Sequence, residues 1–135
     1  FSADSEVAIN VALSGGIGNK FGPRSMIAAN KGYKSFSSFK RVMGPAGEDM
    51  QWHHIVEQTP GNIIRFGPEA IHNNRNAIIT SEWLNIRLNA LYSSKRLYIT
   101  GSEELTVREW LSSKSFEDQY KFGLDAMVKI LAGDW

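Results

Sequence analysis

Met50-Gln51-Trp52-His53-His54-Ile55-Val56-Glu57-Gln58 is the stretch from which the fold reads outward. It holds two of the three histidines in the 135-residue chain, and His72 follows eighteen positions after His54. Adjacent histidines are rarely needed to fill a core. They suit a site where one imidazole holds a metal and its neighbour moves a proton. Trp52, Ile55 and Val56 give Met50 to Val56 the character of a strand or hairpin arm. In a regular strand His53 and His54 point to opposite faces, so both reach one ion only if the strand ends or bulges there. Irregular backbone is therefore expected at His53 or His54.

Upstream, Gly44-Pro45-Ala46-Gly47 reads as a turn, preceded by a short helix over 35–43 with a serine cap. Phe36, Phe39 and Met43 share one face of that helix. Downstream, Thr59-Pro60-Gly61-Asn62 and Phe66-Gly67-Pro68 are turn chemistry, which predicts a long loop over 57–75 with brief structure at most. Ala77-Ile78-Ile79 is a short strand candidate. Thr80 or Ser81 then caps a helix to about Tyr92 with Leu84, Leu88 and Leu91 on one side. The central order is strand, long loop, short strand, helix. Further on, Thr106-Val107-Arg108-Glu109 is a capping box for a helix through Leu111. Ser115 caps the last helix, where Phe116, Tyr120, Leu124, Met127, Val128 and Leu131 form an apolar stripe ended by Gly133.

Composition narrows the chemistry. The chain lacks cysteine, which excludes disulfides and cysteine-type zinc sites, so any metal must use nitrogen and oxygen ligands. No apolar run approaches the ~18 residues of a membrane span. Net charge is +1, but it is unevenly spread. Six cations (Lys20, Arg24, Lys31, Lys34, Lys40, Arg41) and no acid lie between Val7 and Gly47, whereas seven acids face four cations from Glu103 onward. The basic half could contact phosphates or form an ordinary solvated face. Near the start, Val7 to Leu13 reads as a short strand or helix broken by Ser14-Gly15-Gly16-Ile17-Gly18. That glycine run lacks the spacing of a phosphate-binding loop. The chain begins at Phe1, which suggests a piece cut from a longer polypeptide.

Phosphodiester hydrolysis needs an activated water, a charge sink and correct positioning. A strand–loop–strand–helix unit can supply all three around one divalent ion. His53-His54, then Asn76, then Asn85, with the two asparagines nine positions apart, resembles the HNH or His-Me finger nuclease superfamily, on its endonuclease VII-like branch. The likeness extends over Gly44-Pro45-Ala46-Gly47, Gln51 to Gln58, Arg65-Phe66-Gly67, Ala70-Ile71-His72-Asn73, Tyr92-Ser93-Ser94-Lys95 and Val107 to Leu111. Those segments resemble a nuclease module at the C-termini of bacterial polymorphic toxins, such as contact-dependent growth inhibition proteins.

The resemblance implies a small α+β domain with a ββα-metal hairpin among helices, over 35–135, after a partly structured flanking region over 1–34. It implies a metal-dependent endonuclease toxin acting on DNA ahead of RNA, delivered by a larger secreted or cell-surface protein into the cytoplasm of a target cell. A cognate immunity protein is the implied partner. By this likeness His54 is the general base, Asn76 orients its imidazole, and His53 and Asn85 hold the metal. Relatives usually carry histidine where Asn85 stands. An amide oxygen is the harder ligand, which favours Mg²⁺ or Mn²⁺ over Zn²⁺ or Ni²⁺. His72, Arg65, Arg75 and Arg87 are candidate substrate contacts, and Glu57 shares the His53 face if the strand is regular. Two other readings stay open: a metal-independent ribonuclease using His53 or His54 with His72 as an acid–base pair, and a degenerate, non-catalytic binding domain.

Overall fold

A computed structural model describes residues 31–135. The 7–13 element, the glycine run after it, and Lys20 and Arg24 lie outside the described residues. The order is α1 (Phe36–Met43), β1 (Met50–His54), α2 (Pro60–Phe66), α3 (Pro68–Ile71), β2 (Ala77–Ser81), α4 (Glu82–Tyr92), α5 (Leu97–Thr100), α6 (Val107–Leu111) and α7 (Phe116–Leu131). The described residues thus mix helices with a two-stranded antiparallel sheet, and a helix follows β2 directly.

The caps behave as local chemistry demands. Ser35, Ser81 and Ser115 each accept a hydrogen bond from the backbone N–H three residues on, and Thr106 with Glu109 forms the reciprocal capping box. The expected 57–75 loop is instead two short helices. Thr59 caps α2 through Asn62 N–H, and Pro60 fills a first-turn position that needs no donor. Gly67 (φ 86°) ends α2 and leads into Pro68 at the start of α3. Residues read as turn formers are helix punctuation here. α5 was not anticipated from the sequence.

The sheet runs in unbroken register from Met50↔Ser81 to His54↔Ala77, and Ile55 N–H continues it to the Asn76 carbonyl. Of the two irregularities expected at the histidines, a bulge is not found and a strand end is: β1 keeps its alternation through both and ends at His54. Side chains therefore divide cleanly. Trp52 joins Tyr33, Phe36, Phe39, Met43 and Ala77 on the α1 side. On the other side Ile55 packs with Leu84, Leu88 and Leu91 of α4, Val107 and Leu111 of α6, and Met127 and Ile130 of α7.

α7 is turned relative to the predicted stripe. It buries Gln119, Gly123, Leu124, Ala126, Met127 and Ile130, while Leu131 is 43% exposed. The cause is a close approach at Gly123, where a Cβ would stand 2.8 Å from the Ile55 carbonyl oxygen. Gln119 is drawn inward by a reciprocal amide pair with buried Asn62. Hydropathy does not single out a glycine or a glutamine as core. Lys31 to Lys34, within the expected flank, are tied to the body. Tyr33 N–H donates to the His72 carbonyl, Asn74 N–H donates to the Lys31 carbonyl, and Gly32 bridges Asn73.

Candidate functional site

β1 carries the two histidines, and its alternation sends them apart. His53 turns toward α4, where its Nδ1 lies 3.1 Å from Asn85 Oδ1. Asn85 sits one turn into α4, and its Nδ2 donates to Gln51 Oε1, which fixes the amide with its oxygen toward His53. Gln51 precedes His53 by two residues and so shares its face. Asn85, distant in sequence, partners His53, and Gln51 partners Asn85, so the three side chains converge across the strand–helix junction.

His53 is buried, and its Nε2 has no hydrogen-bond partner. Burial lowers its pKa to about 4, partly opposed by the bond to Asn85, so the ring is neutral near pH 7. A neutral ring allows two arrangements. With the proton on Nδ1, Asn85 accepts it and Nε2 keeps a free lone pair. With the proton on Nε2, Nδ1 and Oδ1 present two acceptors 3.1 Å apart. That separation matches neighbouring ligands of an octahedral Mg²⁺-type ion, which at about 2.1 Å from each would space them about 3 Å apart.

A pocket of about 280 Å³ opens beside this pair, bordered by His53, His54, Glu57, Gln58, Asn85 and Asn89 among others. Arg108, from α6, fixes its wall. It donates from Nε and Nη2 to the two Glu57 oxygens at 2.8 Å each, and onward to Asn89 Oδ1 and Ser93 Oγ. The Glu57 hydrogen bonds raise the Arg108 pKa. Tyr92, also lining the pocket, is deeply buried with an unpartnered hydroxyl, and burial beside Glu57 holds it as the neutral phenol. Glu57 was foreseen on the His53 face. Gln51 was readable from strand alternation, whereas nothing local in the sequence points to Arg108.

His54 faces the other way. Its Nε2 lies 3.1 Å from His72 Nδ1, and Phe36 covers both rings, edge-on to His54 and stacked on His72. Burial, then repulsion from His72 and His53, pushes the His54 pKa down to about 3; burial lowers that of His72. One neutral ring donates to the other. His72 is the C-cap residue of α3, so the helix that replaces the expected loop is what brings it to His54.

Comparisons with models of known families, with curated proteins and with solved structures give no match. The site therefore rests on its own geometry.

Asn76 takes a different part from the one expected. Its Oδ1 accepts from Val56 N–H at 2.8 Å, and its Nδ2 donates to the Val56 and Ile71 carbonyls at 2.9 Å each. The side chain anchors the backbone where β1 leaves the ladder, and it reaches His54 only through that backbone. Buried peptide groups that lose their ladder partners need others, and one amide supplies three. The arginines diverge. Arg65 is engaged by the Ser112 and Lys114 carbonyls. Arg87 lies over the half-exposed Trp83 ring at 4.4 Å. Arg75 is exposed. Among the described residues no three His, Asp or Glu side chains cluster as a metal cage. A site here would be one imidazole and one amide, with water or substrate completing it.

Proposed function

We propose that this protein is a metal-dependent endonuclease. The observation that carries the reading is the 3.1 Å approach of His53 to Asn85 beside a polar pocket, between residues 32 positions apart on different elements. An imidazole and an amide oxygen with room for water suit Mg²⁺ or Mn²⁺, which keep several waters and bind through one or two protein groups plus substrate phosphate. The ion, when bound, would supply charge stabilisation at the phosphoryl and leaving oxygens.

In this reading His53 and Asn85 hold the ion and Gln51 keeps the Asn85 amide aimed. His54 borders the same pocket. Kept neutral by burial, it accepts the proton of the attacking water, with His72 fixing its ring. The antiparallel β1–β2 pair followed directly by α4 supports a ββα-metal hairpin. The implied toxin role, DNA ahead of RNA, and a protein inhibitor belong to the same proposal.

One observation favours a second reading. The direct His54–His72 contact is what a metal-independent ribonuclease would need to share protons between two imidazoles. Digestion of plasmid DNA and total RNA with Mg²⁺, Mn²⁺ or EDTA separates the two. Cleavage is expected to need the metal and to fall about 100-fold or more in His53→Ala, Asn85→Ala and His54→Ala. RNA cleavage that persists in EDTA gives the answer to the second reading, and no cleavage under any condition sinks both.

A further inference from the structure

A larger cavity, about 540 Å³, lies away from the histidines, between the 70–76 segment and the start of α7. Asn73, Arg75, Phe116, Glu117 and Tyr120 line it. Its parts are held rigidly. Tyr120 Oη donates to the Arg75 carbonyl at 2.8 Å, and Arg75 N–H donates to Asn73 Oδ1 at 3.1 Å. Phe116 stacks on Tyr120 with rings 20° apart and meets Phe66 edge-on. Among the described residues that line it the one carboxylate, Glu117, is paired with Lys121 at 3.1 Å, which offsets its repulsion of an anion.

From this geometry we infer that the cavity is a subsite for one unstacked nucleotide, with Arg75 on its phosphate and the Phe116–Tyr120 wall against its base. Arg75 lines the same cavity as the Phe116–Tyr120 pair, and a cation with an aromatic wall matches the two halves of a nucleotide, an anion joined to a flat π surface. A paired duplex offers no free base face, so the subsite selects single strands. The segment that forms the cavity also carries His72, which meets His54, and Asn76, which anchors the exit of β1. A strand seated here is thereby delivered toward the histidines. This inference names the substrate class of the proposed nuclease and rests on that reading.

The test is binding in EDTA, by fluorescence anisotropy, of labelled single-stranded DNA, single-stranded RNA and duplex DNA of one sequence. Adenosine 5′-monophosphate serves as competitor. The parent is expected to bind both single strands more tightly than duplex, and the mononucleotide to compete. Phe116→Leu, which keeps an apolar contact with Phe66, should weaken single-strand binding about tenfold, and Arg75→Ala about fivefold. Thermal melts check that each variant is folded. A difference between the DNA and RNA arms that Phe116→Leu and Arg75→Ala abolish identifies which strand the subsite takes. Folded Phe116→Leu and Arg75→Ala that bind like the parent overturn the subsite, as does a preference for duplex or a parent that binds no single strand. If the parent shows metal-dependent cleavage while those variants bind unchanged, only the subsite falls. If binding follows the expected pattern while cleavage is absent, only the nuclease reading falls.

Discussion

On the α4 side of β1, His53 meets an amide carried by a helix and borders a polar pocket; on the α1 side, His54 meets a second imidazole beneath a phenylalanine. Two neighbouring residues of one type thus live in unlike surroundings because a strand turns alternate side chains to opposite faces. The α4 side leaves a ring nitrogen unpartnered and a carboxylate held by an arginine. The α1 side is closed by aromatic rings, with Lys40 4.5 Å above Phe36. Neighbouring histidines therefore occupy unlike surroundings without any distortion of the strand between them.

The division depends on Asn76, which ties the strand end for both faces. Asn76→Ala would strand three buried backbone groups, and a loss of about 4 kcal/mol in urea unfolding is expected. Loss of less than about 1 kcal/mol would mean that the strand end holds without it. Acid comes next. The folded-state pKa values of His53 and His54 are depressed to about 4 and about 3, so the unfolded chain takes up protons first as pH falls. Their stabilisation is complete above about pH 6.5 and is lost progressively toward pH 4 and below. His53 alone accounts for on the order of 3 kcal/mol. Urea midpoints at pH 7 and pH 4.5 measure the drop, and repeating them on His54→Phe isolates the α4 share. A drop that vanishes in His54→Phe would show that only one face is acid-sensitive.

The smallest effect separates the faces most sharply. Arg108→Ala removes the bidentate hold on Glu57 and the links to Asn89 and Ser93, for about 1.5 kcal/mol, since the pair is partly exposed. NMR signals of His53 and Asn85 should shift while those of His54 and His72 stay put. Movement of all four would show that the two faces are coupled.

β1, β2 and α4 were legible because β-branched residues, serine caps and leucine spacing agreed with one another. His53 with Asn85 was legible only as a motif, since spacing within a chain does not place two side chains 3.1 Å apart. Thr59-Pro60 and Gly67-Pro68 misled because the same residues punctuate turns and helices, and only packing decides between them. The part taken by Asn76 was unreadable for another reason. Its partners are peptide groups, which every residue carries and no sequence marks. Gln119 and Gly123 stayed hidden in α7 because one is buried through an amide pair and the other through its lack of a side chain.

Gly123 has a consequence for how much chain the chemistry requires. Every site residue expected from the sequence lies between His53 and Arg87, so a fragment ending after α4 would contain the whole motif. It would lack Arg108, which closes on Glu57 across 51 positions, and the helix that seats against Ile55 at Gly123. The motif is therefore shorter than the smallest unit able to hold it in shape. A chain that emerges residue by residue would expose the whole motif before the helix that gives it shape arrives.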